Sequence, residues 1–162
     1  MKLTILAGAL LTVAAVAFHP AQVTTQSRSI SQTTRDHLDV AMHGEAFASA
    51  KYQLFADRAR AQGNIELANL FERTGQMERL EHFKELAELA HLVGDDASNL
   101  RDAIKGESYE VDTMYREFAE QANAAGDHAA AARFEEIRRD EMRHREVFKA
   151  ALDKLNATHT GN

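Results

Sequence analysis

The sequence predicts an all-α chain built from four long helices. Three observations predict it. Apolar residues recur at intervals of three and four over most of the chain, the spacing that lines one face of a helix. No stretch after the N-terminus alternates Val, Ile and Thr as a strand would. Among the 8 glycines and 1 proline of the 162 residues, Gly63, Gly94 and Gly126 stand where periodic segments stop.

Residues 1–17 read as an export signal. Met1 and Lys2 precede an apolar run from Leu3 to Phe18 that closes on Ala15-Val16-Ala17, a small-x-small cleavage pattern. With Thr4, Gly8 and Thr12 inside it the run is short for a bilayer span, and no twin-arginine pair precedes it. The expectation is an extracytoplasmic chain, periplasmic or secreted; an uncleaved membrane anchor is the alternative. Residues 18–33, rich in Ser, Thr and Gln, read as a linker. The first helix is expected over 34–62, with Ser31 or Thr33 as N-cap and Gly63 as its stop. The second covers 65–93 after Asn64 and ends at Gly94. The third starts after Ser98 and reaches Ala125 before Gly126, and the fourth follows Asp127 to about Leu155. The helical domain thus spans 34–156, and 157–162 is a tail without pattern.

Composition removes several classes of function. The net charge of −6, with basic residues scattered among acidic ones, gives no footprint for nucleic acid. There is no cysteine, so disulfides, thiolate catalysis and Cys-ligated metal centres are excluded. Any metal must be held by oxygen and nitrogen.

Each helix carries acid on the face that should be buried. The first seam is Leu38, Ala41, Glu45, Ala48, Tyr52, Phe55 and Ala59; the second is Leu67, Phe71, Thr74, Glu78 and Glu81, flanked by His82. The third is Leu100, Ala103, Glu107, Glu110, Met114 and Phe118; the fourth sets Glu141 and His144 among Ala130, Phe134, Ile137, Phe148 and Ala151. A carboxylate and an imidazole three residues apart on one side of a helix can reach a single metal ion, and burying them without one is costly. Glu85 and Glu117 lie near the seams but are expected to face water, while His37, His43, His91, His128 and His159 are expected to bind no metal.

Heights along the helices bring the acids together. Glu45 lies 18 residues before Gly63 and Glu78 lies 15 after it, so at ~1.5 Å per residue they stand within roughly 5 Å of one level in an antiparallel hairpin. Glu107 and Glu141 repeat the arrangement about Gly126. The two halves are in fact a repeat: Gly44-Glu45 matches Gly106-Glu107 at an offset of 62, whereas Tyr52, Phe55, Ala56, Ala59, Gly63, Ala68, Phe71 and Glu78 match Tyr115, Phe118, Ala119, Ala122, Gly126, Ala131, Phe134 and Glu141 at 63. One residue has entered between Glu107 and Tyr115, beside Glu110. A π-bulge absorbs such an insertion inside a continuous helix; drift within the repeat is the other reading.

Gly44-Glu45 with Tyr52, Gly106-Glu107-x-x-Glu110 with Met114-Tyr115, and Glu141-x-x-His144 together resemble the diiron domain of rubrerythrins, within the ferritin-like superfamily, over about Leu38 to Leu155. The resemblance implies a ferritin-like four-helix bundle. It implies Glu45, Glu78, Glu107, Glu110, Glu141 and His144 as ligands of two iron ions, with Tyr52 and Tyr115 as partners of the carboxylates. Where the family pattern has a His three residues after the second-helix Glu, this chain has Glu81, and His82 comes one later. The repeat aligns Glu81 with His144 and favours Glu81; His82 is the alternative. The family's rubredoxin-like domain would need cysteines, so electrons are expected from a separate donor.

Six clustered carboxylates would be forced to protonate in part unless cations joined them. Hard carboxylates with imidazole suit iron or manganese. The resemblance therefore implies a non-haem diiron peroxidase that reduces hydrogen peroxide and protects against oxidative stress, with Glu110 expected to shift as iron changes oxidation state. A ferroxidase or iron-handling protein using dioxygen, and a metal-free helical interaction module, are the alternatives. In such bundles the second and third helices run parallel, and the Gly94–Ala97 gap, at most about 14 Å, is too short to return along the bundle. The expectation is a domain-swapped homodimer pairing residues 34–93 of one subunit with 98–155 of the other. Otherwise the second helix ends near Leu86 and 87–98 form a crossover.

Overall fold

The computed structural model describes residues 30–160, the side chains of 159 and 160 excepted. All of its elements are helical. Helix α1 is Gln32–Ala61, α2 covers 65–89, α3 covers 96–124 and α4 is His128–Thr160. Two of them are interrupted, α2 by a π turn at Glu78–His82 and α3 by a π turn at Glu110–Met114. The expected export signal and most of the linker lie outside the described residues. Among the described residues no helix is long and apolar enough to cross a membrane.

Local chemistry fixes most of the helix ends. Ser31, Asn64 and Asp95 cap α1, α2 and α3, each side chain accepting the N–H three residues on, from Thr34, Leu67 and Ser98. Gly63 and Gly126 end α1 and α3 in the left-handed conformation, φ +78° and +84°. In both, the residue after the glycine bonds back into the last turn, Asn64 N–H to Ala59 O and Asp127 N–H to Ala122 O. The end of α2 differs from the sequence expectation. Gly94 does not stop it; His91 does, at φ 52°, with the Leu92 N–H on Ala87 O. Gly94 instead braces the start of α3, its N–H and C=O both bonded to the Asn99 side-chain amide. At the other extreme α4 continues to Thr160, beyond the last apolar position of its seam.

Small residues bring the helices together in pairs. Between α1 and α2 lie the buried Ala56, Ala59 and Ala68, and between α3 and α4 the buried Ala119 and Ala131. The first pair comes close together at Gly75, where a Cβ would stand 3.2 Å from the Ser49 carbonyl oxygen and 3.3 Å from Tyr52 Cβ. Ser49 Oγ donates to the Gly75 carbonyl there, at 2.8 Å. Each pair carries an aromatic trio at equivalent places. Tyr52, Phe55 and Phe71 have ring centroids 5.3–6.3 Å apart, and Tyr115, Phe118 and Phe134 lie 5.7–6.3 Å apart.

The two hairpins stay apart. Among the described residues, no helix of the α1/α2 hairpin packs on a helix of the α3/α4 hairpin. The connection 90–95 reaches at most about 25 Å, whereas α2 is about 37 Å long at ~1.5 Å per residue. It cannot carry α3 back alongside α2 in the same bundle. The alternative crossover over 87–98 does not form, because α2 continues to Leu89 and α3 restarts at Asp96. Consequently Phe55, Leu67, Leu70, Met77, Phe118 and Met142 remain exposed, more apolar side chain than a finished core leaves in water.

Candidate dimetal centre

Each hairpin assembles one Glu–Glu–His group from its two helices. In the first, Glu45 of α1 meets Glu78 and His82 of α2; in the second, Glu107 of α3 meets Glu141 and His144 of α4. In each group the ligand atoms lie within 4.8 Å of one another. The distances are nearly superimposable. His82 Nδ1 is 2.7 Å from Glu78 Oε2 and 3.9 Å from Glu45 Oε2; His144 Nδ1 is 2.6 Å from Glu141 Oε2 and 4.0 Å from Glu107 Oε1. The carboxylates are half-buried and the imidazoles lie at the edge of the hairpin.

The first group is made by a register shift. Across the π turn Glu78 and His82 stand four residues apart, and the widened turn sets the fourth residue near the angle that the third takes in a regular helix, as His144 does after Glu141. The structure brings His82, not Glu81, to Glu45 and Glu78; Glu81 is exposed and belongs to neither group. A signal for this was present in the repeat. Past Glu78 and Glu141 the offset falls back from 63 to 62, pairing His82 with His144, Leu86 with Phe148 and Leu89 with Ala151. Each change of offset is one π turn: the insertion expected beside Glu110 is absorbed at Glu110–Met114, and its reversal at Glu78–His82.

The second group is the more crowded. Burial first, then the Glu141 and Glu110 carboxylates, push the Glu107 carboxyl above the usual carboxylate range, against a smaller opposing pull from His144. Glu110 is raised by burial and by Glu141, again opposed by His144. The Tyr115 phenol is raised by burial and then by Glu110, Glu141 and Glu107, so it keeps its proton at neutral pH. Tyr52 sits in the aromatic trio, with Lys51 Nζ 5.4 Å from its ring centroid. Of the residues expected to stay out, Glu85, Glu117, His37, His43, His91 and His128 are exposed, and none joins either group.

These donors fit a dimetal centre. Glu107 Oε2 is buried and has no hydrogen-bond partner among the described residues, a cost that a cation removes. A donor set of carboxylate oxygens and imidazole nitrogens without sulfur suits iron or manganese. Each group offers two carboxylates and one imidazole, the donor count of one ion with open positions, so the two groups together match a pair of ions.

A family model for rubrerythrin matches residues 36–152. The rubrerythrin of Porphyromonas gingivalis is 32% identical over 143 residues, covering 80% of this chain and 71% of that protein. Nigerythrin of Nitratidesulfovibrio vulgaris is 31% identical over 144 residues, covering 81% and 71%. Among solved structures, fully reduced, all-ferrous nigerythrin matches with a TM-score of 0.40 at 30% identity, over 83% of this chain and 73% of that one.

Proposed function

The chain belongs to the rubrerythrin family, and from that premise we propose that it is a diiron peroxidase whose centre is built across two copies of the chain. The observation that carries the reading is the division of one donor set between hairpins that do not touch. In a swapped dimer Glu45, Glu78 and His82 of one protomer face Glu107, Glu110, Glu141 and His144 of its partner. The exposed Phe55, Met77, Phe118 and Met142 then form the core between the hairpins.

A bound ferrous pair would supply the two electrons that cleave the O–O bond of hydrogen peroxide. The same step consumes two protons in giving two waters, and the chain holds one where it is needed. Glu107 and Glu110 give up theirs on binding the cations, whereas the Tyr115 phenol, raised by burial and the neighbouring carboxylates, keeps its proton beside the site. The five carboxylates would hold the cations, and the aromatic trios, half open in the single chain, would be covered where the hairpins of two copies meet. In this reading electrons return from a redox partner, none of the residues 1–162 being a cysteine that could carry a relay cluster. The reading of residues 1–17 as an export signal supports an activity outside the cytoplasm; detection of the protein only in the cytoplasmic fraction would remove that part of the reading.

Anaerobic iron titration followed by stopped-flow mixing tests the activity. The expected result is two ferrous ions per chain, oxidised by peroxide orders of magnitude faster than by dioxygen. Faster oxidation by dioxygen, with iron consumed beyond that stoichiometry, would support iron handling instead. Absence of iron or manganese binding would leave a helical interaction module.

A further inference from the structure

The two π turns are not held in the same way. In α3 the Tyr115 N–H bonds the Glu110 carbonyl, one residue further back than α-helical pairing with Val111 would require. The Val111 carbonyl thereby loses its helical donor on a residue only 2% exposed. A buried carbonyl in that state is costly. Arg138 of α4 supplies the missing donor, its Nε lying 2.7 Å from Val111 O. One heptad on, Arg145 Nη1 reaches both carboxylate oxygens of Asp112, at 3.2 and 3.1 Å. Two arginines on one side of α4 thus grip consecutive residues of the π turn that carries Glu110.

The other half of the repeat lacks this grip. In α2 the Phe83 N–H bonds Glu78 O, so the carbonyl passed over belongs to Arg79, an exposed residue that water can serve. The position matching Arg138 is Gly75, where even a Cβ would press at 3.2 Å on the Ser49 carbonyl oxygen. The hydrogen bond at that level runs the other way, from Ser49 to the Gly75 carbonyl. Arg138 therefore occurs only where a π turn would otherwise bury an unpaired carbonyl.

We propose that Arg138 is a positioning residue: by donating to the Val111 carbonyl it holds the α3 π turn open and so sets where Glu110 stands against Glu107, Glu141 and His144. The inference deepens the dimetal reading above, because it assigns what aims the one carboxylate that the first hairpin does not have.

The test compares Arg138→Met with Arg138→Gln in the full chain. Met fills the same space without a donor, whereas Gln places an amide N–H at the position of the arginine Nε. The first readout needs no metal. Amide hydrogen exchange of residues 111–116 in the metal-free dimer should quicken about tenfold or more in Arg138→Met, remain near wild type in Arg138→Gln, and stay unchanged in α1 and α2. The second uses cobalt(II) as probe. Arg138→Met should weaken cobalt binding about tenfold and alter its visible bands. In a Glu110→Ala background the same substitution should change affinity by less than about twofold. Unchanged exchange at 111–116, or loss of protection spread evenly over both hairpins, overturns the proposal whatever the metal does. So does an Arg138→Met effect on cobalt that persists in full without Glu110. Failure of the wild-type chain to bind cobalt at all would instead count against the dimetal reading, and the exchange result would still decide the role of Arg138.

Discussion

The two hairpins reach the same Glu–Glu–His group by different routes. In the first, the incoming helix α1 is regular and the outgoing helix α2 takes the π turn, which carries His82 to Glu45 and Glu78. In the second, the incoming helix α3 takes the π turn, which adds Glu110, and the outgoing helix α4 is regular and presents Glu141 and His144 one turn apart. A single inserted residue has opposite consequences according to the helix it enters: it rescues an imidazole in one half and adds a carboxylate in the other. The halves are equivalent in what they hold and unequal in charge, and the inequality is concentrated in the second.

The comparison can be broken most severely at the acids common to both halves. Glu78→Gln and Glu141→Gln should each lower metal affinity by about 100-fold or more, at the upper end of what loss of even indirect partners costs. Titration against a competing chelator measures this, and a large effect of only one would show that the halves are not equivalent. Next comes the choice between neighbours. His82→Ala should weaken metal binding about tenfold or more, while Glu81→Ala should change it by less than about twofold; the reverse order would restore the alignment of Glu81 with His144.

The charge inequality predicts a pH dependence. Glu107 and Glu110 have folded-state pKa values above those of the unfolded chain, with burial the main cause. Their contribution to stability is therefore fully present below the unfolded carboxylate range and is lost as pH rises through the raised values. Thermal melting of the chelator-treated protein should fall across that window, and Glu107→Gln should flatten the fall.

The smallest effect lies in the turns. Gly63→Ala and Gly126→Ala should each cost about 1 kcal/mol, because both glycines have positive φ. His91→Gly should add up to about 1 kcal/mol by relieving the same conformation at the end of α2. Chemical denaturation reads both signs.

Much of this was legible in the residues because burial and charge conflict openly in the sequence. Glu45, Glu107 and Glu141 interrupt apolar stripes, and a carboxylate on such a stripe needs a partner wherever the stripe packs. The insertion beside Glu110 was legible for a similar reason: a helix cannot add a residue and keep both flanking seams facing inward without a local widening. His82 was harder. The repeat offset returns to 62 only after Glu78, and the flanking apolar matches that reveal this, Leu86 with Phe148 and Leu89 with Ala151, are not identities. The end of α2 was obscured by local chemistry, since Gly94 resembles a helix stop while the turn is closed by a histidine. Arg138 and Arg145 gave no signal, because what they bind is a carbonyl and a carboxylate exposed only by the π turn, and no spacing rule anticipates either.

The claim that two copies share each centre is tested most directly by complementation. One variant carries Glu45→Gln and Glu78→Gln, the other Glu107→Gln and Glu141→Gln, and each alone should bind little iron. In a mixed swapped dimer, the intact first hairpin of the second variant meets the intact second hairpin of the first. Co-expressed and isolated as a heterodimer through two different affinity tags, the pair should regain about half of the wild-type iron and peroxide turnover per dimer, one restored centre out of two. A heterodimer as empty and inactive as its parents would contradict the account, because a centre closed within one chain leaves every copy of that dimer broken.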